Sequence, residues 1–194
     1  MLTQLPDCFG GYPVTRQWLP KAPPAASGKL PARPGRRVER VSHVVIGDTG
    51  FRGLTVEDAL KNLGQLYGHF MIDHAAIVEL VPALTSGVGI VEEATFVTSK
   101  PDQKFDAQRT AIAVNLCFGG SVKANETYAQ CVALVAFACR RFGLALDAAL
   151  SPASELDKTR DDPAQPLQAA GRTFDQLKDD VLNMLECSEG PSGD

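Results

Sequence analysis

The sequence has no long apolar run and no excess of positive charge. No stretch reaches the roughly 18 apolar residues of a membrane span, and the start, "MLTQLPDCFGGYPVTRQWLP", lacks the basic and apolar regions of a signal peptide. We therefore expect no membrane insertion and no signal-directed export. The net charge of −4 argues against duplex nucleic acid as a partner. No internal repeat is visible, and 194 residues suit one domain.

Cysteine and histidine are too few and too dispersed to predict a disulfide framework or a metal site. The five cysteines show no Cys-x-x-Cys spacing. Cys8 and Cys187 could pair or link two chains, but we expect them to be reduced. A metal at His43 and His69 lacks supporting ligand spacing, and the last histidine is His74. We therefore expect no metal and no other cofactor.

Composition divides the chain into three parts. Residues 1–35 are rich in Pro, Gly and Ala, which is typical of an extended arm. Residues 36–187 carry the alternating and helical patterns of a folded domain, and "SEGPSGD" at 188–194 is a tail. We interpret the basic patch at the start of the domain as a solvated approach to its first strand; it consists of Arg33, Arg36, Arg37 and Arg40.

The apolar patterns predict strands and helices mixed around one sheet. Strands are predicted at "VSHVVI" (41–46), "HFMID", "AIVELVP" and "TAIAVNLC" (110–117), with a turn at Asp73–Ala76 joining the middle two. Helices are predicted over 55–67, over 125–142 and from Thr173 onwards. Residues 83–109 form a long, weakly patterned connection between these elements.

Short polar motifs predict where helices begin and end. Capping-box spacing occurs in three pairs, namely Thr55 with Asp58, Thr127 with Gln130, and Thr173 with Gln176. Gly143 is the expected stop of the long helix. "DTG" at 48–50, directly after the first strand, predicts a turn. The same three letters occur in the aspartic-protease loop, but Gly47 departs from that pattern, so we favour the turn.

Six pieces in order carry a family resemblance. They are "ARPGRRVERVSHVVIGDTG", "YGHFMIDHAAIVELVP", "AIAVNLCFGG", the long helix, "DKTRDDPAQP" and "TFDQLKDDVLNML". Over roughly residues 33–187 the chain resembles the zinc-dependent N-acetylmuramoyl-L-alanine amidases, which share a fold with peptidoglycan recognition proteins and include phage lysins. The resemblance implies an α/β (α+β) fold, a central mixed β-sheet flanked by helices, with a cleft on one face.

The resemblance also implies where three zinc ligands would stand. The first position, normally His, holds Gly47. The second, also normally His, falls between Pro152 and Ser154. The third, commonly Asp or Cys before Pro, matches Asp162. Because glycine and proline offer no side-chain ligand, one ligand of three remains.

The resemblance places supporting groups as well. A carboxylate that acts on the catalytic water corresponds to Asn115, and a lysine that stabilises the oxyanion corresponds to Arg160. Asparagine is not a base, and arginine keeps the charge without the geometry of lysine. Asp48, Tyr67 and His69 are candidate cleft-lining residues.

These residues predict a catalytically inactive protein of the amidase fold. The most concrete version is a structural or assembly component of a phage virion, at the tail or baseplate, whose partners are other protein subunits. It would be located in the virion, or in the bacterial cytoplasm before assembly. One alternative is a non-catalytic module that binds peptidoglycan. A second is an active amidase with a rebuilt site.

Overall fold

The computed structural model describes residues 2–4, 9–21, 33–61, 67–84, 90–96 and 105–187. Seven strands form one sheet in the order β1-β2-β5-β4-β6-β3-β7. In chain order they are β1 (Leu2–Gln4), β2 (Pro13–Arg16), β3 (His43–Arg52), β4 (Phe70–Ile72), β5 (Ile77–Glu79), β6 (Ala111–Phe118) and β7 (Leu150–Pro152). The four strands β4, β6, β3 and β7 run parallel, while β5 is antiparallel to β4.

Seven helices surround the sheet within the described ranges. They are α1 (Val56–Lys61), α2 (Ala107–Thr110), α3 (Ala124–Phe142), α4 (Leu146–Ala149), α5 (Ala153–Leu156), α6 (Ala164–Ala169) and α7 (Phe174–Cys187). None of these helices has the length and apolar character that a membrane crossing needs.

Successive side chains of the central strands point to opposite faces of the sheet, so there is one apolar core on each face. On β3, Val44 and Ile46 pack with the buried sides of α3 and α7, whereas Val45 points to the other face, towards α1 and α5. All eight residues of β6 are buried, as expected for a strand covered on both faces. The expected mixed sheet flanked by helices is confirmed.

Several local predictions are also confirmed. The Thr173 hydroxyl accepts a hydrogen bond from the Gln176 amide, and the Gln176 side chain accepts one from the Thr173 amide, so α7 begins with a reciprocal capping box. Gly143 ends α3 in the left-handed conformation, with a φ of 62°. The hairpin of β4 and β5 turns at residues 73–76 as predicted.

Other local predictions were wrong. Thr127 does not cap α3, which begins at Ala124; its hydroxyl instead donates to the Lys123 carbonyl inside the helix. The helix that starts at Val56 does not include Tyr67, which is not helical. The strand at 43 does not end before the "DTG" stretch but runs to Arg52, with its pairing to β6 shifted between Asp48 and Arg52.

The N-terminal arm contains strands that composition did not predict. Within residues 1–35, β2 pairs parallel with β5 and β1 pairs antiparallel with β2, so both belong to the central sheet. The burial of Phe9 and Val14 provides the physical reason, since both join the apolar core. The boundary at residue 36 itself stays a prediction. Cys8 and the tail at 188–194 lie outside the described residues.

Candidate functional site

Neighbouring parallel strands bring the three expected ligand positions together. Gly47 on β3 pairs in register with Asn115 on β6, and Ile46, the residue before Gly47, pairs with Pro152 on β7. The Ser154 amide then donates to the Asp162 carbonyl at 3.1 Å, which ties the 152–154 segment to the loop after α5. The site therefore lies towards the carboxyl ends of the parallel strands, where ligands of such sheets commonly bind.

Asp162 is the central charged group of the site, and Arg160 binds both of its carboxylate oxygens. Arg160 Nε donates to Oδ1 at 2.7 Å and Nη2 donates to Oδ2 at 2.6 Å. The remaining terminal nitrogen of Arg160 donates to the Phe96 carbonyl at 2.8 Å. Asp162 is only 2% exposed. The carboxylate is thus neutralised inside the protein by a bidentate pair with a fixed guanidinium.

Gly47 faces this ion pair and leaves no room for a side chain. A Cβ atom added at Gly47 would lie 2.6 Å from Asp162 Oδ2 and 3.0 Å from Asn115 Oδ1. Real Cβ atoms do not approach oxygen that closely, and Asp162 cannot move without breaking its bonds to Arg160. The space in which a first-position histidine would start is therefore filled by the neighbouring residues.

Asp48 completes the buried floor of the site. Its backbone amide donates to Asp162 Oδ2 at 3.1 Å, and its own Oδ1 accepts the Gly50 amide at 2.7 Å. Gly50 has a φ of 71°, so the predicted turn chemistry of "DTG" is present, but it forms an irregularity within β3. The pKa of the Asp48 carboxyl is raised to about 6; burial is the main cause, the Gly50 amide acts against it, and the nearby Asp162 carboxylate adds to it.

The raised pKa predicts a pH-dependent effect of Asp48→Asn. The Asp48 pKa is about 6 in the fold and 3.8 in the reference state, so its ionised form destabilises the fold fully above pH 6 and not at all well below pH 4. Asparagine keeps the acceptor for Gly50 without the charge. We expect Asp48→Asn to raise the free energy of unfolding by about 1–3 kcal/mol at pH 8 relative to wild type.

Urea unfolding of both proteins between pH 4 and pH 8 measures this effect. The advantage of Asp48→Asn should shrink as the pH falls, because the wild-type carboxyl then takes up its proton. Asp147→Asn, an exposed site on α4, is the matched control and should change stability by less than about 0.5 kcal/mol throughout. An advantage for Asp48→Asn that is the same at both ends of the range contradicts the explanation.

Tyr67 and His69 are packed inside the protein, so the structure does not support a cleft-lining role for either. Tyr67 is 2% exposed. His69 is fully buried between strands, where Nδ1 accepts the Ala113 amide at 3.0 Å and Nε2 donates to the Glu92 carbonyl at 2.7 Å. Burial lowers the pKa of His69 to about 4, so the ring is neutral and serves as a structural connector.

His43 lies at the other end of β3 from the site. Its ring stacks on Phe105 with 3.6 Å between centroids, and Ser42 Oγ lies 2.8 Å from His43 Nδ1. In the described ranges, no group of three His, Cys, Asp or Glu side chains is placed to hold a metal ion. His43 and His69 are thus each engaged by neighbouring residues, His43 by Phe105 and His69 by two backbone groups.

The residues at the implied zinc position do not fit the metal. A catalytic zinc needs three protein ligands and an open fourth position. Gly47 and Pro152 supply no side-chain ligand, and both oxygens of Asp162 are bound by Arg160. A zinc ion here would also lie beside the guanidinium, and the two positive charges would repel each other.

The fold is shared with several solved structures. The Staphylococcus aureus hydrolase AmiA in complex with its ligand aligns with a TM-score of 0.68 and 16% identity, covering 91% of this chain and 85% of that one. The catalytic domain of XlyA aligns with a TM-score of 0.63 and 14% identity, covering 87% and 98%. A mutant endolysin from Bacillus subtilis aligns with a TM-score of 0.62 and 14% identity, covering 87% and 97%. No protein-family model matches the chain, and no curated protein matches it.

These likenesses establish that the chain shares the α/β fold of the XlyA catalytic domain and of AmiA. At such low identity they do not transfer ligands or activity, so the chemistry has to be argued from the site itself. The site contains two features that the sequence did not reveal. One is the bond from Arg160 to the Phe96 carbonyl, and the other is the approach of Ala153 to Gly47. Neither has a sequence signal, because both join segments that only the fold brings together.

Proposed function

We propose that this protein is a catalytically inactive member of the amidase-like fold and acts as a structural or assembly component. The observation that carries the proposal is the buried bidentate pair of Arg160 with Asp162 beneath Gly47. Hydrolysis in the zinc amidases requires a metal-bound water, and the only implied ligand that remains in this chain is bound by a guanidinium.

The supporting residues agree with the loss of chemistry. Asn115 stands where the resemblance implies a carboxylate, and an amide does not act as a general base at any pH. Asn115 is 8% exposed and Asp48 is 6% exposed. Both polar side chains are therefore packed into the floor of the site, which favours a scaffold over an open catalytic cleft.

The virion version of the proposal rests on the shared fold. A mutant endolysin from Bacillus subtilis is among the solved structures with this fold. We propose the tail or baseplate of a phage as the setting and other protein subunits as the partners. The Gly47, Asn115, Pro152, Arg160 and Asp162 positions are, on this proposal, the remains of the metal site.

Metal content, activity and mass together test the proposal. Protein purified without chelators should contain far less than one zinc per chain, should release no muropeptides from peptidoglycan, and should form species larger than a monomer by light scattering. The first two results follow from the occupied carboxylate, and the third follows from an assembly role. One zinc per chain together with muropeptide release would instead establish an active amidase with a rebuilt site.

A peptidoglycan-binding module is the second candidate, favoured by one surface feature. Phe51, at the far end of β3 beyond the site, is 54% exposed, and exposed aromatic side chains commonly contact ligands. Retention of the wild type on insoluble peptidoglycan, lost in Phe51→Ser but kept in Leu182→Ser, would favour this candidate. Leu182 on α7 is the matched control because it is 46% exposed. No retention of the wild type removes the candidate.

A further inference from the structure

A groove lined by arginines lies at the amino ends of two central strands, whereas the Gly47 site lies towards their carboxyl ends. It encloses about 510 Å³ and lies where β3 and β6 begin; the Ser42 amide there donates to the Thr110 carbonyl at 2.9 Å. Its lining includes Arg36, Arg37 and Arg40, which precede β3, and Arg109, which precedes β6. The volume falls within the range of small-molecule sites.

Backbone pairing holds two of these arginines in place. The Glu93 amide donates to the Arg36 carbonyl at 2.8 Å, and Arg37 forms an antiparallel bridge with Glu92. The next residue, Val38, donates its amide to the Val91 carbonyl at 2.8 Å and packs against the apolar core. The main chain of this segment is therefore fixed, while the arginine side chains are exposed to solvent.

The charges within the groove are unevenly compensated. The carboxylates of Glu93 and Asp106 each lie 3.7 Å from Arg109 Nε, so both are directed at one arginine. Among the described residues, Arg36, Arg37 and Arg40 form no ion pair, and Glu39 is the one other acidic residue of the lining. The groove therefore has guanidinium groups with unused donors.

The charge along the sequence has the same asymmetry. Seven of the 19 Lys and Arg residues lie between residues 16 and 40, which hold only one of the 23 acidic residues, although the whole chain has a net charge of −4. The described lining of the groove itself holds four arginines and three carboxylates, so its net charge is positive on an otherwise acidic protein. Three arginines of the predicted basic patch, Arg36, Arg37 and Arg40, thus line the groove, whereas the fourth, Arg33, is paired with Glu92.

We propose that this groove binds a small oxyanion that carries several negative charges. The planar fork of arginine matches the oxygens of phosphate and carboxylate groups, and several arginines around one concave space suit a ligand with more than one such group. Because all four arginines are exposed, binding should weaken markedly as salt is raised. The inference is independent of the proposed function, since the groove lies at the amino ends of the strands and the Gly47 site lies towards their carboxyl ends.

Calorimetric titration of the full chain at low salt tests the inference with two probes. Pyrophosphate represents phosphate chemistry and citrate represents carboxylate chemistry; saturable binding of one or both is the expected result and distinguishes the source. Arg36→Ala with Arg40→Ala should weaken binding by about tenfold or more, since charge-assisted hydrogen bonds are lost. Arg140→Ala with Arg141→Ala, which removes two arginines from the end of α3, is the matched control and should bind as the wild type does.

Three results would overturn the inference. One is the absence of saturable binding for both probes. Another is an equal loss in the control variant, which would show a response to net charge rather than to the groove. The third is binding of poly-glutamate alone with the same dependence on Arg36 and Arg40, which would identify the groove as a docking surface for an acidic protein. Circular dichroism of each variant shows whether it remains folded.

Discussion

Asp162→Ala is expected to lower the free energy of unfolding by about 3–4 kcal/mol. The change removes two of the three acceptors of the Arg160 guanidinium, whose side chain is only 21% exposed, and leaves a poorly solvated positive charge without its carboxylate partner. It also removes the acceptor of the buried Asp48 amide. Urea unfolding at pH 7 measures the loss.

Two further variants separate this explanation from a general effect of mutation in the loop. Asp161→Ala changes the neighbouring exposed residue and should cost less than about 0.5 kcal/mol. Arg160→Ala combined with Asp162→Ala should cost clearly less than the sum of the two single changes, because the pair is removed together. Additive losses, or a loss below about 1 kcal/mol for Asp162→Ala, would show that the ion pair does not hold the site.

Leu177→Ala is expected to cost about 3 kcal/mol of the free energy of unfolding. Leu177 is fully buried on the side of α7 that packs with α3 in the larger apolar core, and truncating it removes apolar contacts and leaves a cavity. Urea unfolding of this variant and of the wild type measures the loss. A loss of this size would show that α7 is an integral part of the domain.

Leu182→Ala is the matched control for Leu177→Ala. The two changes have the same chemistry and lie on the same helix, but Leu182 is 46% exposed. The control should cost less than about 1 kcal/mol, since little apolar surface is returned to water. Similar losses for the two variants would mean that helix propensity, and not the packing of α7, dominates the result.

Local signals in the sequence predicted the parts of the fold that short-range chemistry decides. The reciprocal bonds of Thr173 with Gln176 and the left-handed Gly143 involve residues close together in the chain, so the pattern alone predicts them. Thr127 has the same spacing to Gln130 but lies inside a helix, where its hydroxyl finds a backbone carbonyl instead. Spacing predicted a helix there, but not its first residue.

Long-range pairing decided what the sequence could not predict. The strand Pro13–Arg16 precedes a segment rich in Pro, Ala and Gly, and it forms because β5 offers a free edge and Val14 has a core to enter. At the site, the resemblance predicted the positions of Gly47 and Asp162 separately. Their contact, with Arg160 bound across both carboxylate oxygens, depends on a loop conformation that no spacing encodes.

The guanidinium of Arg160 has one further consequence for the floor of the site. A bound metal ion obeys mass action, so a carboxylate that depends on it gains or loses its partner as the free concentration of the ion changes. Arg160 is joined covalently to the same loop, two residues from Asp162, and its effective concentration is therefore constant. The charge at this position remains compensated in metal-poor and metal-rich surroundings alike, and chelators leave it unchanged.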